Sequence, residues 1–200
     1  MSDAQPYTKK QLREFGDGVL DIIGRAFSDV SLEGGTTITE AYAIDDYAPA
    51  TARAEARAKD TYKKWHEADI VTLDPGGSAL SFMDPIGFRF HLPAYTHLAV
   101  RVELRREPYP DNNCLMHFDE PAMFDVSTGL RAVQFSLLEN EHAAVAQFLW
   151  FMAEARRVRA YHQGLEYIKP LRRSWWKYLA DADRTTIKHR WNIQTSAWPR

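Results

Sequence analysis

Residues 136–160 read SLLENEHAAVAQFLWFMAEARRVRA, and this stretch decides the fold class. Ser136 with Glu139 three residues on matches a capping box, in which the two ends of a helical first turn satisfy each other's backbone donors. Leu138, Val145, Phe148, Leu149 and Met152 follow at helical spacing. The pattern predicts a helix over about residues 137–160 with that stripe buried.

Working outward, residues 8–27 place Leu12, Phe15, Val19, Ile22, Ile23 and Ala26 on one helical face, weakened by Gly16, Gly18 and Gly24. Gly34-Gly35 breaks the chain. Thr36, Thr37 and Ile38 read as a short strand running into a helix that Pro49 interrupts. Residues 50–66 are Ala-rich and predict one helix, with Ala54, Ala58, Tyr62 and Trp65 in a stripe. Asp74-Pro75-Gly76-Gly77-Ser78 is a loop. Asp84 and Pro85 fit the N-cap and first turn of a helix. Pro93 is expected to end or kink it, with a second helix continuing through Tyr95, Leu98, Ala99 and Val102. Residues 107–131, rich in Pro, Asp, Asn and Gly, read as a long irregular stretch. One or two further helices are expected from about Pro170. The fold class is therefore mainly α: about six helices around one core, with a short β element allowed.

Composition narrows the function classes. The 200 residues suit one domain, or one domain with an appended segment, and bury a core without staples. Cys114 is the one cysteine, so neither an intramolecular disulfide nor a cysteine zinc cluster can form. The polar opening MSDAQPYTKKQLREF is not a signal peptide, and no apolar run is long enough to span a membrane. A reducing, cytoplasmic setting is expected. The net charge of −2 hides an asymmetry: residues 151–200 carry 11 Lys and Arg against 4 Asp and Glu, while residues 1–150 carry 14 against 23. An acidic body disfavours nucleic acid as a partner. The basic tail can dock on that body or on another molecule.

The chemistry-bearing residues form no recognised constellation. His91 and His97 flank Leu92-Pro93-Ala94-Tyr95, where imidazoles near a tyrosine suit metal binding or proton movement. Their offset of six residues, however, puts them on different helical faces. His117, Asp119, Glu120 and Asp125 cluster in the long irregular stretch, and Glu103 and Glu107 lie one turn apart. Together these residues define the alternative function, a metal-dependent hydrolase. Gly76-Gly77-Ser78 is neither a nucleophile elbow nor a phosphate loop. Asp45 and Asp46 point apart on a helix and make a poor acid/base pair. No catalytic residue, metal ligand or cofactor is assigned from the sequence.

The tail supplies the candidate interface: Arg172, Arg173, Trp175, Trp176, Tyr178, Arg190, Trp191 and Trp198. Arg and Trp dominate interface hot spots. The opposing expectation is that Trp175, Tyr178, Leu179 and Trp191 pack the tail onto the body and leave its cations solvated. The chain thus reads as a helical domain over residues 1–155 with a basic Trp/Arg-rich extension over 156–200 packed on it.

Four blocks carry a resemblance: Ala26-Phe27 closing the first amphipathic helix, Trp65, the Phe-rich approach from Phe82 to Leu92-Pro93-Ala94-Tyr95, and the helix from Phe135 to Phe151. The chain resembles a bacterial family of domains of unknown function over roughly residues 10–155, the tail lying outside. The resemblance implies a small cytoplasmic bacterial protein and brings no catalytic residues with it. By association it implies an immunity or adaptor role. The leading expectation is a non-catalytic protein-binding role, with self-association as a second use of the same surface.

Overall fold

The computed structural model describes residues 5–74, 78–105, 137–158 and 161–191. Eight α-helices run through them: α1 (Lys9–Ala26), α2 (Ile38–Asp45), α3 (Ala50–Arg57), α4 (Ile70–Leu73), α5 (Pro85–Glu103), α6 (Glu139–Arg157), α7 (Tyr161–Pro170) and α8 (Asp181–Trp191). Short 3-10 turns at Trp65–Glu67 and Ala79–Phe82 join the first half, and a π-turn at Leu171–Trp175 leads from α7 towards α8. The mainly helical expectation is met, and among the described residues there is no strand. No described helix is long and apolar enough to cross a membrane.

The β element expected at Thr36–Ile38 is replaced by a helix start. Thr37 has extended backbone (φ −84°, ψ 168°), but it is the N-cap of α2. Its hydroxyl accepts the Glu40 N–H while Glu40 accepts the Thr37 N–H. Local capping therefore satisfies groups that a strand would have sent to a neighbour. Thr8 and Gln11 cap α1 in the same reciprocal way.

α5 and α6 carry the core. Phe90, Leu92, Tyr95 and Val100 of α5 and Phe148, Leu149, Phe151 and Met152 of α6 are fully or almost fully buried in one cluster. α1 packs on both helices, and α7 covers another side of α6. Pro93 was expected to end or kink α5, yet the helix runs through it from Asp84, whose carboxylate caps the Gly87 N–H at 2.7 Å. Proline removes one intrahelical hydrogen bond. Burial on both sides of Pro93 outweighs that loss. Gly87 marks a close approach, because a Cβ there would lie 2.3 Å from the Thr36 carbonyl oxygen.

Three further expectations change. The helix foreseen over residues 50–66 stops at Arg57, because Asp60 and Tyr62 are drawn into contacts with α2 and α5. α6 begins at Glu139 with Leu138 as N-cap; Leu138 offers no side-chain acceptor, and Glu141 takes the Leu138 N–H at 2.8 Å. Ser136 lies outside the described residues. Leu138 is 55% exposed and not part of the buried stripe. Finally, the tail helices begin at Tyr161, and Pro170 falls at the end of α7.

Candidate functional site

Two polar assemblies and one groove surround α5. The first assembly centres on Asp74, a fully buried carboxylate. It accepts the hydroxyls of Tyr42 from α2 and Tyr95 from α5, and the backbone N–H groups of Ser78 and Ala79 at 3.2 and 3.3 Å. A charge removed from water needs such donors. Burial and the adjoining carboxylate push the Tyr95 hydroxyl well above its ordinary value, so it remains a donor. Asp74 therefore ties α2, α5 and the chain after α4 together.

In the second assembly the fully buried His91 sits between Gly87 and Tyr62. Its Nδ1 is 2.7 Å from the Gly87 carbonyl. A carbonyl only accepts, so Nδ1 carries the proton and Nε2 is bare. The Tyr62 hydroxyl donates to Nε2 at 2.8 Å and accepts the Ile38 N–H at 3.3 Å. Asp60 lies beside Tyr62, with its oxygens engaged by the Thr39 N–H and hydroxyl at 2.8 and 2.7 Å. Burial lowers the His91 pKa to about 4. Both ring nitrogens are engaged by groups of the fold. Among the described residues no group of three or more His, Cys, Asp or Glu is placed to hold a metal ion. Glu103 is buried and paired with Arg156 at 2.6 Å. Glu107, Cys114, His117, Asp119, Glu120 and Asp125 lie outside the described residues.

The residues read as a tail interface divide. Trp175, Trp176 and Trp191 are buried core side chains. Each ring removes a large apolar area from water by closing onto the body. Trp191, fully buried, donates its indole N–H to Glu154 at 3.0 Å, and Arg190 clasps the same carboxylate with two bonds of 2.9 Å. Gly164 permits this closure, since a Cβ there would stand 2.5 Å from both the Ala153 carbonyl oxygen and the Trp191 ring. Tyr178 stacks on His142 with centroids 4.3 Å apart. Arg172 is half-buried and Arg173 exposed, while Trp198 lies outside the described residues. Among the described tail residues, Arg156 pairs with Glu103 and Arg190 with Glu154. α6 itself runs across the boundary expected at residue 155.

The groove lies beside α5, at the turn preceding α4. Trp65, His66, Asp69, Val71, His97 and Arg101 line it, and it encloses about 330 Å³. Ligand cavities run from about 300 to 1,000 Å³. Trp65 is anchored from behind, its indole N–H donating to the Phe27 carbonyl at 3.1 Å. His97 approaches the Trp65 ring with centroids 5.7 Å apart, and His66 does so at 5.4 Å. Arg101 follows His97 by one helical turn, so both share a face. Burial lowers the His97 pKa, and the charges of Arg101 and His66 add to the effect. Asp69 caps α4 through the Thr72 N–H and hydroxyl. Sequence reading singled out His97 and Trp65 but not His66, Asp69, Val71 or Arg101. The i, i+4 spacing of His97 and Arg101 was the signal available; nothing local in sequence joins them to Trp65.

No curated protein and no solved structure matches this chain. A family model does match, over residues 16–179. That span includes the Phe-rich approach to Tyr95 and α6, as the resemblance implied. It also takes in α7 and the turns after it, which the resemblance had left out. On that match the chain belongs to the family of unknown function DUF6714.

Proposed function

We propose that this protein is a non-catalytic binding protein whose contact surface is the groove beside α5. The observation that carries this reading is the combination of Trp, His and Arg around one open concavity. Trp and Arg are enriched where interfaces concentrate their energy. The buried polar groups support it from the other side. Asp74, His91, Glu141 and Glu154 are each held by donors or acceptors of the fold, which suits a scaffold more than a reaction centre. An immunity or adaptor role in a reducing bacterial cytoplasm is the concrete form proposed. In either, surface complementarity does the work and no bond is made or broken.

The test is capture from native lysate by the full chain, by Val71→Glu in the groove, and by Lys10→Glu on the exposed face of α1. Val71 is partly exposed, so the substitution leaves the core intact. Capture of one partner by the first and third proteins but not the second is expected. Capture indifferent to Val71→Glu overturns the groove as contact surface. Turnover in a hydrolase screen, abolished by substituting His91, overturns the non-catalytic reading.

A further inference from the structure

The groove's lining also specifies a chemistry. Its wall is the Trp65 ring, and three groups that carry or can take positive charge converge on it: His66 from the 3-10 turn, and His97 and Arg101 from α5. The facing carboxylate is Asp69, already accepting the Thr72 N–H and hydroxyl at 3.4 and 2.7 Å. The neighbouring Glu67 turns back on the N–H groups of Lys63 and Lys64. Among the described residues, the lining sets Arg101 and two imidazoles against one carboxylate.

We propose that this groove binds a small oxyanion carried on a flat apolar or aromatic body. The oxyanion meets Arg101, His97 and His66, and the body lies along Trp65. The inference deepens the binding reading given above and rests on it. Three features support it beyond the residue types. The groove's volume of about 330 Å³ lies at the small end of the range for ligand cavities, which suits one ring plus one charged group. The Trp65 ring is fixed from behind by its bond to the Phe27 carbonyl, so little ordering remains to be done on binding. Arg101 and His97, one turn apart on a buried helix, are likewise presented by rigid backbone. An anion placed among them favours the protonated imidazole. Binding therefore strengthens as pH falls through the histidine range.

The probes are benzoate, phenyl phosphate, inorganic phosphate and the uncharged control benzamide, titrated into the full chain and followed by amide and imidazole NMR shifts. Benzoate and phenyl phosphate are expected to move signals of residues 65–71 and 94–101. They are expected to bind at least tenfold more tightly at pH 5.5 than at pH 8, and at least tenfold more weakly to Arg101→Gln. A preference for phenyl phosphate identifies phosphate as the oxyanion; a preference for benzoate identifies carboxylate. Inorganic phosphate is expected to bind more weakly than phenyl phosphate, because it lacks the body. Benzamide binding as tightly as benzoate, or affinity indifferent to both pH and Arg101, overturns the proposal. So does absence of binding by either aromatic anion. If the anions fail while Val71→Glu still abolishes capture, the ligand chemistry is wrong and the binding reading stands.

Discussion

His91→Asn, examined at two pH values, tests the buried assembly around α5. The wild-type imidazole is neutral, with Nδ1–H on the Gly87 carbonyl and Nε2 receiving the Tyr62 hydroxyl. Its pKa is lowered to about 4 by burial, from an ordinary 6.5. The folded state therefore binds its proton less readily than the unfolded state. The stability linked to His91 is complete above pH ~6.5 and is lost as pH falls towards 4. At one pKa unit per 1.36 kcal/mol, the loss between pH 8 and pH 5 is about 2 kcal/mol. Asparagine keeps a donor for Gly87 but withdraws the nearer acceptor of the Tyr62 hydroxyl, leaving Asp60 at 3.4 Å, and removes ring volume. A cost of about 1–3 kcal/mol at pH 8 is expected. Asparagine does not titrate, so the variant is spared the extra loss at pH 5. Urea unfolding of both proteins at both pH values measures this directly. The stability gap between them should shrink by about 2 kcal/mol on going to pH 5. An unchanged gap would mean that burial does not hold His91 neutral.

Four other outcomes follow from packing. Asp74→Asn leaves one oxygen for four donors, and a loss of about 3–5 kcal/mol is expected by chemical unfolding, since bonds to a charged group are each worth about 1.5–3. Trp191→Ala should cost about 3–5 kcal/mol, whereas Lys169→Ala, at an exposed position of α7, should fall within about 0.5; equal effects would return the tail to the surface. Gly87→Ala sets a Cβ 2.3 Å from a backbone oxygen, and overpacking of this kind should lower stability by at least about 1–3 kcal/mol. Tyr47 is 91% exposed at φ 54°, where the N–H groups of Tyr47 and Ala48 close the end of α2 on the Ile44 and Ala43 carbonyls. Glycine is the usual residue there, so Tyr47→Gly should raise the melting temperature by a few degrees, and a drop would reveal a contact made by the ring.

The parts of the fold legible in sequence were those whose signals are local. α1 and α6 show their apolar periodicity, and Asp84 with Pro85 marks the start of α5. What escaped was decided by residues distant in sequence. α3 stops because Asp60 is engaged by Thr39 and Tyr62 by Ile38 and His91, contacts that no helical pattern contains. Pro93 stays inside α5 because that helix is buried around it. The tail tryptophans announced a large apolar area, yet composition alone does not say whether a ring meets its own core or a partner. Glu154 settles it, 37 residues before Trp191. The groove was half visible: Trp65 and His97 stood out singly, but their meeting depends on the Trp65–Glu67 turn packing on α5.

The groove as binding surface is tested most directly by the titration curve of the His97 imidazole, recorded with and without phenyl phosphate. Free, His97 should titrate below the ordinary histidine value, held there by burial, Arg101 and His66. With the anion bound, its pKa should rise, together with shifts confined to the Trp65–Val71 and Ala94–Arg101 neighbourhoods. A His97 curve that does not move at saturating ligand, or shifts scattered elsewhere on the molecule, would contradict the assignment.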